Sequence, residues 1–255
     1  MIDYRPLTEV IKAKGLRIVL VQGFPSPWGQ AAKTMFEIKR LEYMAGPQLM
    51  GQENKELVDW SGQRGGPVVA WNDEKPIHNW VDILYLAERL APTPALIPAD
   101  PLQRVLMFGM ARELLGELGL VWNRRLQMVG PAIESGGAPE AVVRMAQDYG
   151  YNKHDTELAV TRTAEILKML AQQLKAQYSR GAKYFIGDSL SALDIYWVTC
   201  MNVLDPLPPE KCPIPENWRP GFVANDAEIT SALVPILRQH RDKIFAECFR
   251  DPMEL

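Results

Sequence analysis

The chain has 255 residues and carries 28 Lys plus Arg against 31 Asp plus Glu, a net charge of −3 that lacks the basic excess of a nucleic-acid binder. Apolar residues make up 47% and charged residues 23%, the balance of a globular protein with one large core or two smaller ones, which excludes extensive disorder. Apolar runs such as Ile18 to Val21 fall far short of the ~20 residues a bilayer span requires, so no membrane segment is expected. Asp3, Arg5, Glu9, Lys12 and Lys14 interrupt the stretch where a secretory signal would be apolar, and the expected location is cytoplasmic. Cys200, Cys212 and Cys248 are odd in number and widely spaced, which fits reduced structural thiols rather than a disulfide framework or a zinc site.

Arg17 to Gln22 is a β-branched apolar run ended by the turn-rich Gly23 to Gly29, so it reads as a buried strand. Ala31, Thr34, Met35 and Ile38 then recur at helical spacing, with Lys33, Glu37 and Arg40 expected to face away from the sheet. A second strand is expected at Glu42 to Met44 and a helix at Glu53 to Trp60. Val68 to Trp71 and Lys75 to Ile77, joined by the turn Asn72-Asp73-Glu74, read as a hairpin. Asn79 with Asp82 has the spacing of a capping box before a helix bearing Ile83, Leu84, Leu86, Ala87 and Leu90. The order is βαβαββα.

Four prolines between Ala91 and Pro101 mark a boundary. The expected division is a first domain over 1–92, with 1–16 as an additional N-terminal segment in which Pro6 to Lys14 forms a short helix, a linker over 93–101, and a helical domain over 102–255. Helices are expected at Leu102 to Val129, Pro139 to Asp148, Asp155 to Tyr178, Ser191 to Leu204 and Ile229 to Phe249, with a proline-rich loop from Asp205 to Pro220. All three cysteines fall in the helical half.

A small α/β domain followed by helices resembles the cytosolic glutathione transferase superfamily, with a thioredoxin-like first domain (βαβαββα) and an all-α second domain. Three segments carry the resemblance: the strand, turn and helix from Arg17 to Phe36, Gly66-Pro67 before the third strand, and Phe185 to Val198. In the last, Ser191 caps a buried helix and Asp194 returns a hydrogen bond to it, a structural capping box.

The resemblance implies a site where the first strand meets the first helix, because the helix dipole there favours an anion such as the glutathione thiolate. Ser26 is the catalytic candidate as hydroxyl donor to that thiolate, and Ser26 before Pro27 equally reads as a helix cap followed by proline at the first helical position. Ser26 and Gly29 stand where redox relatives carry a cysteine pair, which excludes dithiol exchange. Trp28, Gly66, Pro67, His78 and Asn79 are the remaining glutathione-binding candidates, with Pro67 expected to be cis. His78 replaces the acid that the family places before a Ser or Thr, so the γ-glutamyl ammonium loses its partner while Asn79 can still donate to a carboxylate; Asp82 or Glu74 could substitute for the acid. Phe108, Arg112, Trp122 and Arg125 are the candidates for a second-substrate pocket, and core packing explains most apolar residues of the same helix.

The expected function is conjugation of the glutathione thiolate, glutathione being the co-substrate and no metal being required, to a small hydrophobic electrophile. The alternative is a non-catalytic module of the same fold binding another small ligand or a protein partner. The resemblance also implies a homodimer through Trp80 to Leu90 and Leu102 to Val129.

Overall fold

The computed structural model describes residues 2–255, which divide into two compact units: residues up to 96 with 207–217 and 248–255, and residues 97–206 with 218–247. In the first, α1 (Leu7–Lys12) precedes the central strand β1 (Leu16–Val21), whose first five residues are buried. β1 pairs parallel with β2 (Tyr43–Gln48) and antiparallel with β3 (Val68–Trp71), giving the order β2-β1-β3. The parallel pair is joined by the crossover helix α2 (Pro27–Ile38), and α3 (Lys55–Ser61) and α4 (Trp80–Leu90) complete the unit. Val10, Val19, Leu57 and Val68 form a buried cluster under α1 and α3.

Two strands depart from the expected pattern. β2 runs to Gln48 rather than ending near Met44, and its position at a sheet edge tolerates Pro47, which lacks a ladder donor. The expected strand at Lys75 to Ile77 is a single bridge, Ile77 to Val69, closed by two hydrogen bonds of 2.8 Å. Pro76 has no N–H with which to extend that ladder.

Lys33 and Glu37 also differ from expectation. Lys33 is buried, and its Nζ donates to the Glu254 carbonyl at 2.6 Å, an oxygen that Gln30 Nε2 also reaches at 2.9 Å. Glu37 accepts from Tyr43 Oη at 2.9 Å and lies 3.1 Å from Arg250 Nε. Lys39 Nζ, fully buried, donates to the carbonyls of Ala91 and Pro94 and pairs with Glu88, each at 2.7 Å. α2 is therefore enclosed on the face expected to be wet, by segments that return from far along the chain. Met253 is buried and its N–H donates to Lys211 O at 2.7 Å, so the terminal segment and the 207–217 loop hold each other. Cys212 and Cys248 consequently belong to the first unit rather than to the helical one, Cys248 as the last residue of the final helix.

The second unit contains α5 (Pro101–Leu115), α6 (Leu120–Glu134), α7 (Glu140–Asp148), α8 (Lys153–Tyr178), α9 (Ala192–Met201), a 3-10 turn at Arg219–Phe222, α10 (Ala227–Ala232) and α11 (Pro235–Cys248). The helix expected over Leu102 to Val129 is two helices. Leu118 adopts φ +57°, and a Cβ at Gly119 would come within 2.7 Å of Glu113 O, so the chain turns there. The helix expected over Ile229 to Phe249 also breaks: α10 ends at Ala232 and α11 begins at Pro235, whose missing N–H and fixed φ suit a first helical position.

Every residue of α9 is buried, and its first turn is organised by Asp194. The fully buried carboxylate accepts from Phe185 N (2.9 Å), Ser191 N (3.0 Å), Ser191 Oγ (2.8 Å) and His240 Nε2 (2.9 Å). His240 Nδ1 in turn lies 2.8 Å from Tyr178 Oη, so one acid ties together α8, α9 and α11. Trp197 Nε1 adds a bond to Leu237 O at 3.0 Å.

Replacing Asp194 by Ala strands two main-chain donors and one imidazole in a dry core, and urea unfolding should show a loss of about 3–5 kcal/mol. Lys33 gives a pH signature. Burial, outweighing Glu37 and Glu254, lowers its ammonium pKa below 10.5. The unfolded chain therefore holds a proton that the folded chain has shed as the pH approaches 10.5, and wild-type stability rises with pH through that window. Denaturation of wild type and Lys33→Met between pH 7 and 10.5 should show the difference moving in favour of wild type as the pH rises.

Candidate active site at the junction of β1 and α2

β1 ends at Val21, and after the turn Gln22 to Pro25 Ser26 caps α2 with Pro27 at its first position. Ser26 Oγ accepts from Gly29 N at a long 3.5 Å, and Ser26 O accepts from Gln30 N at 2.9 Å. An accepting hydroxyl keeps its own proton to donate, so the cap and a donor role are chemically compatible. Ser26 is buried, only 8% exposed.

Two glycines draw this corner together. A Cβ at Gly29 would lie 3.1 Å from Leu20 Cδ2 and 3.5 Å from Ser26 Oγ, so the helix start packs directly on the end of β1. A Cβ at Gly66 would lie 2.9 Å from Val19 O and 3.6 Å from the Leu20 backbone, a clash that only glycine avoids. The Gly66-Pro67 bond is cis, as the resemblance implies. Ser26, Gly29 and Gly66 thus converge on Leu20 at one end of the central strand. Trp28 is half-buried in the first turn of α2.

His78 and Asn79 are exposed at the start of α4. Asn79 Oδ1 accepts from Val81 N at 2.9 Å, which caps the helix and leaves the side-chain NH2 to donate elsewhere. The expected capping box does not form, because Asp82 makes no return bond: its carboxylate is exposed in the first turn of α4, with no partner among the described residues. Glu74 is taken by Arg89 Nη2 at 2.6 Å. Of the two acids that could replace the missing one, Asp82 is the one still available.

The four second-pocket candidates all belong to the helical unit, where they do different things. Arg112 Nη1 donates to Glu117 O at 2.6 Å and closes the end of α5, a path that requires the adjacent Gly116 to lack a side chain. Trp122 packs edge-on against Tyr149, ring centroids 4.9 Å apart. Phe108 is half-buried, and Arg125 Nη1 contacts Met128 Sδ at 3.6 Å. The residue sequence reasoning passed over is Arg124, one position earlier. It is buried, and its place in the buried stripe with Leu120, Val121 and Leu126 was the available signal.

Cys200 is fully buried and its thiol pKa is pushed well up by desolvation, so it has the character of a packing residue. No helix among the described residues is long and apolar enough to cross a membrane.

No protein-family model and no curated protein matches the chain. Solved structures do. A glutathione transferase family member from Pseudomonas fluorescens Pf-5, solved with two glutathione bound, is 15% identical with a TM-score of 0.61, over 91% of this chain and 89% of its own. A glutathione S-transferase from Methylobacterium radiotolerans in complex with glutathione sulfonate is 15% identical with a TM-score of 0.60, over 91% of both chains. The Tau class glutathione S-transferase from mango is 19% identical with a TM-score of 0.55, over 92% of this chain and 99% of its own. Such identities speak to architecture, and the chain has the glutathione transferase fold, a thioredoxin-like first domain followed by a helical one.

Proposed function

We propose that this chain is a glutathione transferase-type enzyme that binds glutathione on its first domain and joins the thiolate to a small apolar electrophile. The observation that carries this reading is the corner at Leu20, where a capped helix start, a hydroxyl with a donor to spare and a closely packed Gly66 backbone meet. The positive end of α2 lowers the thiol pKa so that its proton passes to water, Ser26 donates to the sulfur anion, and the sulfur lone pair forms the new S–C bond as the bond from that carbon to its leaving group breaks and the leaving group departs with the bonding pair. The fold shared with glutathione-bound structures adds to the case without establishing the reaction.

Recognition of the tripeptide's γ-glutamyl end falls to Asn79 and Asp82. The Asn79 amide donates to the carboxylate, and Asp82 takes the ammonium that His78 cannot. The near-enclosure of Ser26 and the presence of His78 favour the second reading, a non-catalytic module that binds a different small ligand or a protein.

A homodimer is part of the proposal. Leu102 and Val105 on α5 are 82% and 72% exposed, and Leu106 on the same face is also exposed, an apolar stripe that a second copy would cover.

Calorimetry should detect glutathione binding in wild type, Asp82→Asn should weaken it about tenfold, and Glu74→Gln should leave it unchanged. Ser26→Ala should retain binding but lose roughly ten- to hundredfold in turnover with an electrophile panel. Absence of binding at about 10 mM glutathione would overturn the proposal and leave the module reading. In sedimentation at about 10 μM, wild type should run as a dimer and Val105→Glu as a monomer.

A further inference from the structure

A cavity of about 450 Å³ opens in the helical unit, within the size range of small-ligand sites, between α6 and the 3-10 turn at Arg219–Phe222. Its lining includes Arg124, Gln127, Met128, Trp218, Phe222 and Val223. Two features set it apart from an ordinary surface recess: a buried guanidinium and a half-exposed indole share one small space.

Arg124 is 9% exposed. Its Nε donates to Val203 O at 2.8 Å, and its Nη2 to Val223 O at 2.9 Å and Gly221 O at 3.2 Å. Nη1 donates to Gln127 Oε1 at 3.2 Å. These acceptors are all neutral. The Gln127 amide is itself anchored through Nε2 to Ala159 O and Thr163 Oγ1, so it holds the guanidinium in place. A guanidinium has five N–H groups, and four are used; the fifth, on Nη1, has no acceptor among the described residues. Burial lowers the Arg124 pKa to about 10, and the neighbouring charge that acts on it, Arg125, has the same sign. A desolvated cation with a spare donor and no counter-charge is what an anionic ligand relieves.

The walls narrow the choice of anion. Trp218 and Phe222 offer ring surface and Met128 a polarizable thioether, which suits a flat apolar body more than a compact, strongly hydrated ion. We propose that this cavity is a binding site for an aromatic carboxylate, its carboxylate on the free Arg124 donor and its ring against Trp218. The site lies wholly within the second unit and does not depend on the glutathione reading.

Benzoate, with benzyl alcohol as the uncharged control, tests this by NMR of the Arg124 Nε–Hε and Trp218 indole resonances in the intact chain. Both resonances should shift with benzoate, and benzyl alcohol should bind at least about tenfold more weakly. Met128→Glu places a carboxylate four residues after Arg124 on the same helix face and should weaken benzoate about tenfold without disturbing the arginine's main-chain bonds. Trp218→Ala should weaken it severalfold, to about a tenth of wild-type affinity at most. Arg124→Gln is less suitable alone, since loss of three carbonyl contacts could unfold the segment, and circular dichroism should confirm that each variant is folded. The proposal is overturned if neither resonance moves at about 10 mM benzoate, if benzyl alcohol binds as well, or if folded Met128→Glu keeps wild-type affinity.

Discussion

Where two lysine ammonium groups find their acceptors decides what the first unit is. Lys33 and Lys39 sit on the enclosed side of α2, where water cannot solvate them, so protein oxygens must. Lys33 takes the Glu254 carbonyl, and Lys39 takes those of Ala91 and Pro94 together with the Glu88 carboxylate. These are strong, charge-assisted contacts, and each fixes a segment distant in sequence. The proline-rich stretch after α4 is thereby bound to the helix that carries the candidate site, and so are the last residues of the chain. α2 in turn sets the position of Ser26, because its first turn packs through Gly29 against Leu20.

The helical unit repeats the device with opposite sign. Asp194 is an isolated acid in the dry interior, and it gathers two main-chain donors, a hydroxyl and an imidazole. Arg124 is its cationic counterpart: it gathers carbonyls from Val203, Gly221 and Val223, but it has no carboxylate among these partners and one donor left over. Buried charges of this kind add little to stability relative to apolar packing, yet removing any one partner is costly, so they specify arrangement. In the first unit the arrangement specified is the corner at Leu20; in the second it is a cavity with an uncompensated cation.

The proposed chemistry draws on what three side chains of the first unit have left to give. Ser26 has spent a lone pair and kept a proton, and Asn79 has spent its carbonyl on Val81 and kept its NH2. Asp82 has spent nothing. On the proposed reading, these side chains would supply donors to a sulfur and a carboxylate and an anion to an ammonium.

The sequence by itself determined the elements whose signals are local. The β-branched run of β1, the Ser26-Pro27 start of α2, Gly66-Pro67 and the Ser191 to Asp194 box each depend on residues within a few positions, and together they specify the architecture. Local reading also contained signals that periodicity concealed, since Pro235 and the Gly116 to Gly119 turn split helices that the apolar pattern ran together. Only the tertiary structure decided which charges on α2 are covered, because Lys33 and Glu37 look like solvent-facing residues until Glu254 and Arg250 arrive. Helical spacing reports which face a side chain occupies, while the partner of that face is set by contacts more than two hundred residues away in the case of Lys33 and Glu254, a separation no local pattern encodes.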